Sequence, residues 1–119
     1  MPLALDHIQI AIPKGGEDQC RAFWEQLVGL REIPKPEALQ ARGGLWYALM
    51  GSELHLGVDQ PFAPALKAHP GFRTTEITAL AARFETEGHP LTWDTAIRGR
   101  KRFFTKDPFG NRLEFLQED

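Results

Sequence analysis

The sequence predicts an α+β fold: two βαβββ modules forming a curved mixed sheet, with helices on the outer face and an open cavity on the inner face. Three observations carry this prediction. One 59-residue offset separates Gly29 from Gly88, Gly51 from Gly110 and His55 from Glu114, as expected of a duplicated unit. Asp6 to Ile12 alternates strictly, with Ile8, Ile10 and Ile12 on one side and His7, Gln9 and Ala11 on the other. Two segments of helical periodicity each end at one of the paired glycines. The 119 residues then form one domain of two repeats, about 1–59 and 66–119.

Each element follows in order. The isoleucine face of the first strand needs a helix to cover it, and Glu17 to Val28 supplies one. Its Cys20, Phe23, Trp24, Leu27 and Val28 recur at i, i+3, i+4, i+7 and i+8. The second copy repeats this with Ile77, Leu80, Ala81 and Phe84 before Gly88. Short strands are expected at Leu30 to Pro34 and Leu91 to Thr95, and a hairpin follows each. Upstream of the glycines the offset becomes 62, joining His7 to His69, because the first copy carries extra residues in the Pro13-Lys14-Gly15-Gly16 connection.

Pro108-Phe109-Gly110 suits a three-residue hairpin loop, with Pro in a turn and Gly in the left-handed bulge position. Asp107 then faces Asn111; continuing the register sets Phe104 opposite Glu114 and Arg102 opposite Leu116, and these four project from one side of the sheet. The same register around Gly51 sets Leu45 opposite His55 and Tyr47 opposite Glu53. His7, His55 and Glu114 therefore stand on the face away from the helices, and His69 begins the strand equivalent to that of His7. His89, in Gly88-His89-Pro90, falls off the repeat and reads as loop.

Composition narrows the functional classes. A net charge of −2 offers no basic field for nucleic acid, and no apolar run approaches the ~20 residues of a membrane span. The start, Met1 to Asp6, lacks the pattern of a secretory signal, which makes cytoplasmic the expected location. Cys20 is the one cysteine, so neither an intrachain disulfide nor a thiolate-only metal cage can form. An open sheet has edges to protect, and a homodimer is expected.

Three imidazoles and a carboxylate form a suitable donor set for a borderline divalent cation, although a single strand histidine is more often a satisfied polar residue than a ligand. What favours the metal is the joint pattern, four donors placed by one repeat on the side the helices leave open.

The stretches Leu5-Asp6-His7-Ile8-Gln9-Ile10-Ala11-Ile12-Pro13, Phe23-Trp24 to Leu27-Val28-Gly29-Leu30, and Asp107-Pro108-Phe109-Gly110-Asn111-Arg112-Leu113-Glu114-Phe115 resemble the vicinal oxygen chelate superfamily. That group includes glyoxalase I, fosfomycin thiol transferases, extradiol dioxygenases and bleomycin-resistance proteins. The resemblance covers essentially the whole chain and is specific for fold, not reaction. It implies metal ligands at His7, His55, His69 and Glu114, with zinc, nickel, iron or manganese as the cation. Glyoxalase I-like members usually have Glu where this chain has His55. Dioxygenase- and thiol transferase-like members need only the positions of His7, His69 and Glu114.

The resemblance implies a glyoxalase-type lyase or isomerase, with Glu114 as ligand and proton shuttle, acting on a small oxygenated molecule chelated to the metal. A dioxygenase, a thiol transferase and a metal-free resistance protein are the alternatives. Register nominates Gln9, Leu45, Tyr47, Arg102, Phe104 and Arg112 as the substrate wall. The run Arg98-Gly99-Arg100-Lys101-Arg102 suggests an anionic substrate, with Arg102 its foremost contact.

Overall fold

A computed structural model describes residues 1–118 and divides the chain into two compact units, Met1–Pro64 and Ala65–Asp119. Each unit has one four-stranded mixed sheet, and the order of strands is the same in both. In the first, β1 (His7–Ile12) pairs in parallel with β4 (Glu53–Val58), which pairs antiparallel with β3 (Leu45–Ala48), which pairs with β2 (Arg31–Ile33). In the second, β5 (Gly71–Thr74) pairs in parallel with β8 (Arg112–Gln117), followed by β7 (Arg102–Lys106) and β6 (Leu91–Asp94). This is the α+β, twice-repeated βαβββ arrangement predicted.

The first helix starts as α1 (Glu17–Cys20) and continues as a π-helical segment, Arg21–Val28. The Trp24 carbonyl accepts from Gly29 N at 3.1 Å, an i→i+5 bond, and from Leu30 N at 2.8 Å. Gly29 closes the segment with φ +94°, a conformation that costs glycine little. A short helix not foreseen from the sequence, α2 (Glu37–Gln40), lies between β2 and β3. In the second unit α3 (Ile77–Thr86) lies between β5 and β6, the counterpart of the first helix between β1 and β2.

Both cores follow from the strand alternation. Ile10, Ile12, Leu45, Tyr47, Leu54 and Leu56 are buried on one side of the first sheet, and Cys20, Phe23, Trp24 and Leu27 are the buried side chains of its helix. In the second, Phe103 stacks on Phe115 with centroids 5.3 Å apart, and Phe84 of α3 meets both edge-on. Such pairs each add about 0.5–1.5 kcal/mol beyond the area they bury.

The two hairpins differ by one residue. Lys106 pairs with Arg112 and leaves five residues between them, while Ala48 pairs with Glu53 and leaves four. The second hairpin has the predicted register, Phe104 opposite Glu114 and Arg102 opposite Leu116. The first does not: Leu45 is opposite Leu56, Trp46 opposite His55 and Tyr47 opposite Leu54. A slip of one residue moves every side chain of a strand to the other face. Leu45 and Tyr47 consequently join the core, 3% and 0% exposed, and Trp46 and Ala48 take the helix-free face.

Candidate functional site

In the first unit the helix-free face carries an aromatic stack. The rings of Trp46 and His55 lie parallel within 1°, with centroids 3.8 Å apart, and His7 stacks on His55 at 4.2 Å and 17°. His55 Nε2 donates to Glu53 Oε1 at 2.9 Å, and His7 Nδ1 donates to Asp6 Oδ2 at 2.8 Å. Beside the stack, Gln9 lies across Gly57, where a Cβ would meet the Gln9 carboxamide carbon at 2.8 Å. Gln9 thus keeps its predicted place on the helix-free face, in the row it shares with His55.

Leu45 and Tyr47 do not form a substrate wall here. Tyr47 is sealed under the sheet, where its hydroxyl donates to Glu25 Oε2 at 3.1 Å, and burial followed by that contact pushes its phenol pKa well above the ordinary value. Trp46 holds the outward position the sequence reading missed. Its signal was the Leu54/Leu56 alternation, which needs two apolar partners on the opposing strand, and Leu45 and Tyr47 are those partners.

The second unit builds its helix-free face from charges. Glu114 is 8% exposed, and both its oxygens are engaged: Oε1 stands 2.9 Å from His69 Nε2, and Oε2 accepts from Arg102 Nη1 at 3.0 Å. Arg102 Nη2 continues to Asp94 Oδ1 at 3.1 Å, and His69 Nδ1 donates to the Lys67 carbonyl at 2.9 Å. Burial by itself would raise the Glu114 carboxyl. Hydrogen bonds from His69 and Arg102, together with their charges, outweigh it and hold Glu114 below the ordinary carboxylate value. Both Nη atoms of Arg102 are engaged by Glu114 and Asp94, while its buried Nε has no partner among the described residues, so Arg102 positions these carboxylates where the sequence suggested a substrate contact.

Phe104 sits at the centre of the remaining predicted wall. The Arg112 guanidinium lies over its ring at 4.3 Å, that of Arg102 at 5.0 Å, and His69 meets it edge-on at 5.6 Å. His89 belongs to the framework, its Nε2 donating to the Lys106 carbonyl at 2.7 Å.

The structure thus brings His7 to His55 and His69 to Glu114. Among the described residues no three His, Cys, Asp or Glu side chains group as metal donors. In the second-unit pair the Lys67 carbonyl accepts from His69 Nδ1 and turns Nε2 towards the carboxylate, where the 2.9 Å contact is a hydrogen bond; a backbone carbonyl orients metal-binding imidazoles in the same way. In the first-unit pair, the in-plane lone pairs of two nearly parallel rings cannot converge on one ion. Those rings would have to leave the stack to act as ligands.

Two βαβββ modules, each with a four-stranded mixed sheet and His or Glu side chains on its helix-free face, match the architecture of the vicinal oxygen chelate class. The comparisons agree. A protein from Bacillus anthracis assigned to the glyoxalase family is 40% identical, the match covering 100% of this chain and 98% of that one at a TM-score of 0.96. With that identity over its whole length, the chain belongs to the glyoxalase family of the vicinal oxygen chelate superfamily. Lactoylglutathione lyase from Agrobacterium tumefaciens (20% identity, 98% and 94% coverage, TM-score 0.77) and the fosfomycin resistance protein FosX from Listeria monocytogenes (14%, 100% and 96%, 0.78) share the fold. Neither a protein-family model nor a curated protein matches the sequence.

Proposed function

We propose that this protein is a metal-dependent lyase or isomerase of the glyoxalase type, acting on a small oxygenated molecule that carries an anionic group. The observation that supports it is the His69–Glu114 pair, two donors 2.9 Å apart with the imidazole oriented from behind by a backbone carbonyl. His69 Nε2 and the Glu114 carboxylate would hold the divalent cation. A cation bound there would supply Lewis-acid stabilisation of negative charge on neighbouring substrate oxygens.

The chain's own groups set what else can happen. Arg102 keeps Glu114 ionised and fixes Oε2, which suits a ligand and makes the carboxylate a weak proton acceptor. Glu114 therefore serves as a ligand first and as a proton shuttle second. Phe104 gives the substrate an apolar surface. The edge strands β1, β2, β5 and β6 each pair on one side only, which supports a homodimer as the working form. A cytoplasmic location agrees with a chain whose one cysteine, Cys20, is buried.

Metal analysis of protein purified without chelator or affinity metal tests this reading. A divalent metal should co-purify, and His69→Ala and Glu114→Gln should each lose it; full metal content in both variants overturns the site. Oxygen consumption or a thiol requirement would redirect the chemistry to the dioxygenase or thiol transferase branch of the same fold. A second reading, a metal-free small-molecule binder, is favoured by the Trp46–His55–His7 stack, which offers a planar ligand an aromatic surface. Ligand affinity indifferent to chelator supports that reading over the first.

A further inference from the structure

A groove of about 780 Å³ opens in the second unit, with Leu66, Thr92, Phe104, Lys106 and Arg112 among its walls. Lys106 and Arg112 are directly opposed across β7 and β8, and like charges in that position repel. Arg102, on the same strand as Lys106, has its charge matched by two carboxylates. Among the described residues neither Lys106 nor Arg112 forms an ion pair.

The nearby carboxylates are already engaged. Asp107, which also lines the groove, accepts from Phe109 N and Asn111 N on Oδ1 and from Asn111 Nδ2 on Oδ2. Asp94 is held by Arg102 and by Ala96 N. The Arg112 guanidinium carbon lies 4.3 Å from the centroid of the Phe104 ring, a cation–π contact that leaves a guanidinium's N–H groups able to reach an acceptor.

We propose that Lys106 and Arg112 form the seat for the anionic group of the substrate, a carboxylate or phosphate, while Phe104 and Leu66 hold its apolar portion. This seat deepens the proposed function and rests on it for its place in the reaction. The two cations bracket an oxyanion whose charge relieves their repulsion, so occupancy should stabilise the fold as well as position the ligand. The task that sequence gave to Arg102 passes to a residue it nominated, Arg112, and to one it did not, Lys106.

The test is titration of chelator-treated protein with phenyl phosphate and with benzoate, benzyl alcohol serving as the uncharged control. The wild type should bind at least one anion, more weakly as salt rises, and benzyl alcohol far less. Arg112→Gln should weaken that binding about tenfold or more, as expected for losing a charge-assisted contact, and Lys106→Gln severalfold. Arg73→Gln, on the edge strand β5, should leave it unchanged. The anion bound more tightly names the substrate class. In anion-free buffer Lys106→Gln should melt higher than wild type, and phosphate should raise the wild-type midpoint more than that of the variant. Equal affinity in all variants, or no preference for the anions over benzyl alcohol, overturns the seat. Metal content of the wild type, measured before chelator treatment, separates the two proposals: metal present with no anion binding sinks only the seat, and anion binding with no metal sinks only the metal reading.

Discussion

The helix-free faces of the two units have the same strand order behind them and opposite chemistry on them. The first presents stacked rings, Trp46 on His55 on His7, with carboxylates only at the margin. The second presents a chain of charges, His69 to Glu114 to Arg102 to Asp94. Duplication fixes where a side chain can stand and leaves its partners to be chosen separately. His55 and Glu114 occupy the same repeat position, yet one is held by ring contacts and the other by hydrogen bonds to charged groups.

Removing Glu114 should have the largest effect. Glu114→Ala leaves the Arg102 and His69 donors without their carboxylate, and should cost about 1–3 kcal/mol in a denaturant melt besides abolishing metal binding. Acid should expose the same asymmetry. The Glu114 carboxyl is held below its ordinary pKa, so its contribution to stability is complete above that value and is lost as pH falls through the lowered one. Hydrogen exchange followed downward in pH should show the β7–β8 amides opening before those of β3–β4; simultaneous opening would contradict the contrast.

His55 tests the other face. As the middle ring of a stack, His55→Phe should keep stability within about 0.5 kcal/mol while His55→Ala costs about 1–2 kcal/mol by urea unfolding. Metal lost equally from both variants, with stability untouched, would make His55 a ligand and dissolve the distinction. Tyr47→Phe should cost about 1 kcal/mol for its bond to Glu25, with no effect on ligand affinity. A large loss of ligand binding there would return Tyr47 to the substrate wall.

Most of the architecture was legible because it depends on periodicity. The isoleucines of β1, the Gly29 and Gly88 endings and the Pro108-Phe109-Gly110 loop are local signals, and the structure agrees with each. The first hairpin was misread because its register turns on whether the loop count is odd or even, and Leu49-Met50-Gly51-Ser52 carries no marker as strong as Pro108. Local reading also could not see that Asp94, from the neighbouring strand, satisfies Arg102. Charge alone therefore favoured the arginine with the least freedom to bind anything else.

The side chain of Asn111 reaches to the beginning of its unit: Oδ1 accepts from Ala65 N at 2.9 Å, and Ala65 O accepts from Arg112 N at 2.9 Å. The second unit is thereby laced shut at its own first residue, beside the strand that bears Arg112. A segment whose last strand bonds back to its own opening residue carries its closure within itself, which suits a gene segment that is copied in tandem and then specialised one copy at a time.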